Sequence, residues 1–130
     1  MTGVQTCALP ISRVYTGSGD CRLYAIRQNG SLAWSYATAA SISSSPAVTT
    51  ADAEVYAGSE DNRLYALASN GGLLWSYRMG GMIKSSPAVS DNTLYVGSYD
   101  NRILGLWRNG GFYWSYLTAG DIYEIGRAHV

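Results

Sequence analysis

One segment of this sequence occurs three times, and that repetition constrains the fold more than any other property of the chain. RVYTGSGDCRLYAIRQNGSLAWSY begins at Arg13, AEVYAGSEDNRLYALASNGGLLWSY at Ala53 and NTLYVGSYDNRILGLWRNGGFYWSY at Asn92. Tyr15, Tyr56 and Tyr95 correspond, as do Gly17, Gly58 and Gly97, and Trp34, Trp75 and Trp114, at steps of 41 and 39 residues. A second shared element, SSPAV, runs from Ser44 to Val48 and again from Ser85 to Val89. A period of this size marks stacked units that cannot bury their apolar faces alone.

Within each repeat the apolar runs are short and broken by turn residues, which favours strands over helices. In the second repeat four strands are expected: 44–48, 54–59, 63–69 and 73–79. The last two are joined by Asn70-Gly71, echoed at Asn29-Gly30 and Asn109-Gly110, a dipeptide that suits the two positive φ angles of a type I′ hairpin. Asp20, Asp61 and Asp100 precede the third strand, where a carboxylate can close an Asx turn. Trp75 and Tyr77 oppose Leu74 across the fourth strand, and Tyr65 and Leu67 oppose Leu64 and Ala66 across the third, so each sheet needs cover on both faces. Four-stranded sheets of about 40 residues stacked around an axis are the blades of a β-propeller. The expected fold is therefore all-β, a partial β-propeller of antiparallel four-stranded blades, two complete and one incomplete.

Charge excludes several functions. Nine Lys and Arg balance nine Asp and Glu, so the chain lacks the basic footprint that nucleic-acid binding requires. No apolar run approaches the roughly 20 residues of a membrane helix. Two Cys and one His are too few for a zinc site of Cys and His or a disulfide framework.

The pattern SSPAV, LYVGS, DNRLYAL, NG, WSY resembles the PQQ-like repeat of β-propellers typified by the quinoprotein alcohol dehydrogenases, over residues 13–123. The resemblance implies a propeller; its members include dehydrogenases, the lipoprotein of the outer-membrane β-barrel assembly machinery, and secreted propellers without known activity. The dehydrogenases' docking motif reads Ala-x-Asp-x-x-Thr-Gly-x-x-x-Trp. Here the segments 25–34, 66–75 and 105–114 are one residue shorter, carry Asn for Thr, and place Arg27, Ala68 and Trp107 where the Asp would stand. Cofactor binding is accordingly not expected: no quinone and no metal.

The repeat stops abruptly at both ends, and the ends resemble translated sequencing adapter. Ile125 to Val130 plus a stop can be written ATC GGA AGA GCA CAC GTC TGA, whose reverse complement encodes Gln-Thr-Cys-Ala-Leu-Pro-Ile, the sequence of Gln5 to Ile11. The expected organisation is a non-native segment at 1–11, a partial propeller at 12–123 with blades at 13–38, 44–80 and 85–118, and a non-native segment at 124–130. Without those ends the chain has no His and one thiol, Cys21. An arc cut from a ring leaves apolar faces open at its two cut ends, so self-association or poor solubility is expected for the chain alone.

Several residues carry two readings each. Asp20, Asp61 and Asp100 close turns or form a ring for cations. Arg22, Arg63 and Arg102 pair with those aspartates or bind phosphate. Trp34, Trp75 and Trp114 form core between blades. Cys21 stands where the other repeats have Asn62 and Asn101, as an inert turn variant. The serines of SSPAV begin the strand that in this family lies nearest the channel, where a ligand could touch them. Tyr99 and Trp107 occupy positions that vary between repeats, and they are the candidate interaction surface. The resulting functional expectation is a non-catalytic binding or scaffold module of a larger protein, periplasmic or extracellular by resemblance. Its partners would be further blades of the parent chain and a protein or glycan ligand. The alternative is a fragment of a PQQ-dependent dehydrogenase whose cofactor site lies on other blades.

Overall fold

The computed structural model describes residues 13–49, 53–123 and 125. The segments 1–11 and 124–130 thus lie, apart from Ile125, outside the described residues. Described strands form three antiparallel sheets. The first contains β1 (Arg13–Gly17), β2 (Arg22–Arg27) and β3 (Leu32–Ala37). The second contains β4 (Ala47–Val48), β5 (Val55–Gly58), β6 (Arg63–Leu67) and β7 (Leu73–Arg78). The third contains β8 (Ala88–Val89), β9 (Thr93–Ser98), β10 (Arg102–Trp107) and β11 (Phe112–Leu117). Each sheet is a meander, which makes the molecule a partial propeller of two complete blades and one three-stranded blade.

The innermost strand is shorter than its sequence suggested. Only Ala47–Val48 and Ala88–Val89 pair, because the serines before them use side chains in place of the ladder. Ser44 Oγ donates to the Gly58 carbonyl at 3.1 Å and Ser85 Oγ to that of Gly97 at 2.8 Å, while the intervening prolines have no N–H to give. The Asn-Gly turns also differ from expectation. Only the glycines take positive φ: Gly30 at 88°, Gly71 at 90° and Gly110 at 94°. Their N–H groups close turns onto the carbonyls of Arg27, Ala68 and Trp107, each at 2.9 Å. A turn followed by a left-handed glycine is the three-residue hairpin loop with a bulge, and a register shift falls at the same place in every blade. The asparagine caps the loop, its Oδ1 accepting from the N–H two residues on: Ser31, Gly72 and Gly111.

Alternation along the strands gives each blade two faces. The exit face looks to the following blade and the entry face to the preceding one. Between the first two blades, Leu23 and Ile42 meet Val55, Ala57 and Leu67, with Tyr15, Trp34 and Tyr36 packed around them. Between the second and third, Tyr56, Leu64 and Ile83 meet Leu94, Val96 and Leu106. Tyr56 and Val55 are adjacent on β5, yet they belong to different cores, as a period of two requires. Outer strands are less covered: Leu73 and Leu74 are exposed on β7, contrary to the double cover anticipated for Leu74.

Polar contacts repeat with the same period. Trp34 Nε1 donates to the Ser69 carbonyl and Trp75 Nε1 to that of Arg108, both at 2.9 Å across a blade boundary. Each indole lies where a Cβ on the next blade's loop glycine would stand, 2.8 Å away for Gly71 and 2.9 Å for Gly110. The three tryptophans were expected to be core between blades; Trp34 and Trp75 are half-buried in that position, while Trp114, on the last described exit face, is exposed.

Candidate functional site

At one end of the sheets, the loop before β5 and the ends of β9 and β10 converge. Trp107 closes β10 opposite Thr93 and is 40% exposed, its ring 4.3 Å from that of Tyr113. Beside it opens a cleft of about 500 Å³ lined by Glu54, Asn92, Trp107, Arg108 and Asn109. Arg108 holds the cleft's floor across the blade boundary. Its Nη2 lies 2.9 Å from Glu54 Oε1, its Nε donates to the Tyr56 hydroxyl at 3.2 Å, and its Nη1 to the Asp91 carbonyl at 2.9 Å.

The Tyr56 hydroxyl donates in turn to Glu54 Oε1. Burial, and then that hydrogen bond to a carboxylate, push the Tyr56 phenol up to about 12, while Arg108 pulls the other way. A fixed ion pair beside an exposed aromatic pair gives a surface with one apolar platform and donors and acceptors of both signs, the composition that protein-binding patches favour.

Tyr99, the other candidate, is not brought to this cleft. It follows β9 at the opposite end from Thr93, six strand residues or roughly 20 Å away. Its ring packs edge-on against Tyr123 at 5.4 Å, Lys84 Nζ sits 5.2 Å from its centroid, and its N–H donates to the Met82 carbonyl. Tyr99 is half-buried among these neighbours.

The aspartates are engaged in turns and blade contacts. Asp20 and Asp61 accept from the backbone N–H of Arg22 and Arg63 at 3.0 Å, as an Asx turn requires. Asp61 Oδ2 also accepts from Ala39 N–H and Asp100 Oδ2 from Gly80 N–H, both at 3.1 Å and both from the preceding blade. The Tyr24 hydroxyl, donating to Asp20, holds that carboxyl below the ordinary carboxylate range. Among the described residues, no three His, Cys, Asp or Glu side chains form a group that could hold a metal ion. Arg22, Arg63 and Arg102 each donate Nη1 to the serine of their blade's WSY strand, Ser35, Ser76 or Ser115, and the Arg22 charge also helps to lower Asp20.

Cys21, a free thiol, takes φ 72°, beside 74° for Asn62 and 67° for Asn101. Of the SSPAV serines, Ser44 and Ser85 are buried with their hydroxyls on backbone carbonyls, while Ser45 is exposed and Ser86 half-buried. The positions matching the Asp of the dehydrogenases' docking motif are the loop ends at Arg27, Ala68 and Trp107, and none of them supplies a carboxylate.

Sequence reasoning missed the Glu54–Arg108 pair, whose charges do not repeat: at the preceding boundary the equivalent positions are Arg13 and Ser69, where Arg13 Nη1 donates to the Ser69 carbonyl. It also missed Ile42, Ile83 and Ile122, although these recur at the same 41- and 39-residue steps.

Comparison with known proteins places this geometry. A family model described as outer membrane protein assembly factor BamB matches residues 2–67 and 19–128. Among solved structures, BamB from Moraxella catarrhalis is similar with a TM-score of 0.70 and 24% identity, over 82% of this chain and 33% of that one. The chain thus spans about a third of the length of that protein. No curated protein matches.

Proposed function

The chain belongs to the outer membrane protein assembly factor BamB family of PQQ-like repeat propellers, and from that premise we propose that it serves as a non-catalytic protein-binding scaffold in the periplasm or at the cell exterior. The observation that carries this reading is Trp107, 40% exposed and stacked on Tyr113 at the mouth of the cleft that Glu54 and Arg108 floor. Large aromatic rings beside a fixed arginine are the residues that anchor protein interfaces. The family's description suggests the ligand class: extended segments of outer-membrane proteins on their way to assembly. Such a segment would lay apolar side chains on the Trp107 platform and offer backbone groups to Asn92 and Asn109.

The test is isothermal titration of the intact chain with strand peptides from outer-membrane β-barrels. Trp107→Ala should weaken binding roughly tenfold or more, as removal of a buried aromatic anchor does. Equal affinity for the variant would overturn the assignment of the surface. Turnover of an alcohol by the parent protein with added quinone and calcium would overturn the non-catalytic reading.

A further inference from the structure

A tyrosine that two blades carry is missing from the third. Tyr24 and Tyr65 take the third position of β2 and β6, and the equivalent position of β10 is Leu104. At the first boundary Tyr65 packs on Tyr36 of the preceding blade, ring centroids 5.8 Å apart, and its hydroxyl donates to Asp61 Oδ2. The same oxygen accepts the Ala39 N–H at 3.1 Å. Tyr24 bonds Asp20 Oδ2 in the same way. At the second boundary the frame of this arrangement is kept: Tyr77 stands in the place of Tyr36, and Asp100 Oδ2 accepts the Gly80 N–H at 3.1 Å. The phenol between them is gone. Leucine is shorter than tyrosine and has no hydroxyl, so among the described residues Asp100 Oδ2 keeps its backbone bond without a phenolic one. A cavity of about 210 Å³ opens there, walled by Tyr77, Asp100, Leu104 and Phe112 and by the exposed Arg78 and Arg102.

We propose that this cavity receives a tyrosine side chain from an extended segment of a partner protein, seated as Tyr65 is seated one blade earlier. Its ring lies between Tyr77 and Phe112, where tilted aromatic contacts add to the burial. Its hydroxyl donates to Asp100 Oδ2, a charge-assisted bond. The size of the cavity selects a side chain over a free small molecule, whose sites run to about 300–1,000 Å³. Arg78 stands where the first boundary has Ala37 and adds a second guanidinium beside Arg102, so the segment that complements it carries acidic residues next to the tyrosine. Both walls belong to four-stranded blades. The site lies at the other end of β10 from Trp107 and is independent of the ligand read there.

The experiment is an amide-resolved NMR titration of the full chain with a blocked Glu-Tyr-Gly tripeptide, its Glu-Phe-Gly counterpart and p-cresol. The tyrosine peptide should shift the Gly80 and Asp100 amides. The phenylalanine peptide should bind roughly tenfold more weakly, for want of one hydrogen bond to a charged acceptor. Leu104→Tyr should supply the missing phenol within the chain, abolish the titration and raise the urea midpoint. Leu104 is buried, so Phe112→Ala, at an exposed side chain, provides a second variant whose fold does not depend on repacking. It should weaken the tyrosine peptide roughly threefold or more by removing one aromatic contact. Four outcomes would overturn the proposal. A tyrosine peptide that leaves Gly80 and Asp100 unmoved would mean that the cavity takes no such side chain. Equal affinity for the two peptides would mean that the hydroxyl is not read by Asp100. Binding of p-cresol as tight as that of the tyrosine peptide would mean a site for free phenols. An unchanged titration in folded Leu104→Tyr or in Phe112→Ala would place the peptide elsewhere.

Discussion

The side chain of Ile83 fills the space that a Cβ on Gly58 would need: built there, it would lie 2.2 Å from Ile83 Cγ2. The same relation joins Gly17 to Ile42 at 2.1 Å and Gly97 to Ile122 at 2.0 Å. In each case the isoleucine belongs to the connection leaving the blade, and its N–H donates to the serine carbonyl just after the glycine: Ser18, Ser59 or Ser98. Glycine is required here for close approach, since none of the three has positive φ. The pair fixes where the chain leaves one sheet for the next.

Gly58→Ala should therefore destabilise the chain by about 1–3 kcal/mol, the range for overpacking a filled core. Adding Ile83→Ala should give a double mutant less destabilised than the sum of the singles, because the closest contact, to Cγ2, is gone. Urea unfolding of the four proteins measures this; a neutral Gly58→Ala would show that the contact yields without cost.

Cys21 stands in the left-handed region that asparagine tolerates better than other side chains. Cys21→Asn should raise stability by about 0.5–1 kcal/mol, by removing backbone strain. The urea midpoint should rise at unchanged slope, and a lower midpoint would count against the strain.

Much of this architecture was legible in the sequence because the repeat states each blade three times. Trp34 and Trp75 announced the blade boundary, and Asp20 and Asp61 the Asx turn. What was not legible has physical causes. The asparagine of Asn-Gly bonds two residues onward and keeps negative φ, so a shared dipeptide pointed to the wrong loop. Ser44 and Ser85 replace ladder bonds with side-chain bonds, and no strand propensity registers that exchange. Glu54 and Arg108 are 54 residues apart and their charges do not repeat, so only the packing of two blades brings them together. Trp107 was singled out by its failure to repeat, and the fold sets it beside that pair; Tyr99, chosen by the same signal, faces the other end.

Tyr56 provides a pH test. Its phenol is raised from 10.0 to about 12, so the folded state holds the proton more tightly than the unfolded chain. That contribution is intact below about pH 10 and is lost as pH rises through 10 toward 12. Tyr65 shifts in the same direction, through burial and its bond to Asp61. Tyr56→Phe should flatten the alkaline decline measured by urea midpoints across that window. An unchanged decline would mean that Tyr56 ionises freely.

The central claim is that the chain is an arc of blades in which each exit face is completed by the next entry face. Comparing Trp75→Phe with Trp114→Phe tests it most directly, by urea unfolding at a concentration where the chain is monomeric. Trp75→Phe loses the bond to the Arg108 carbonyl and should cost about 1 kcal/mol or more. Trp114→Phe, on a face with no following blade among the described residues, should stay within about 0.5 kcal/mol of wild type. Equal losses at the two positions would contradict the account.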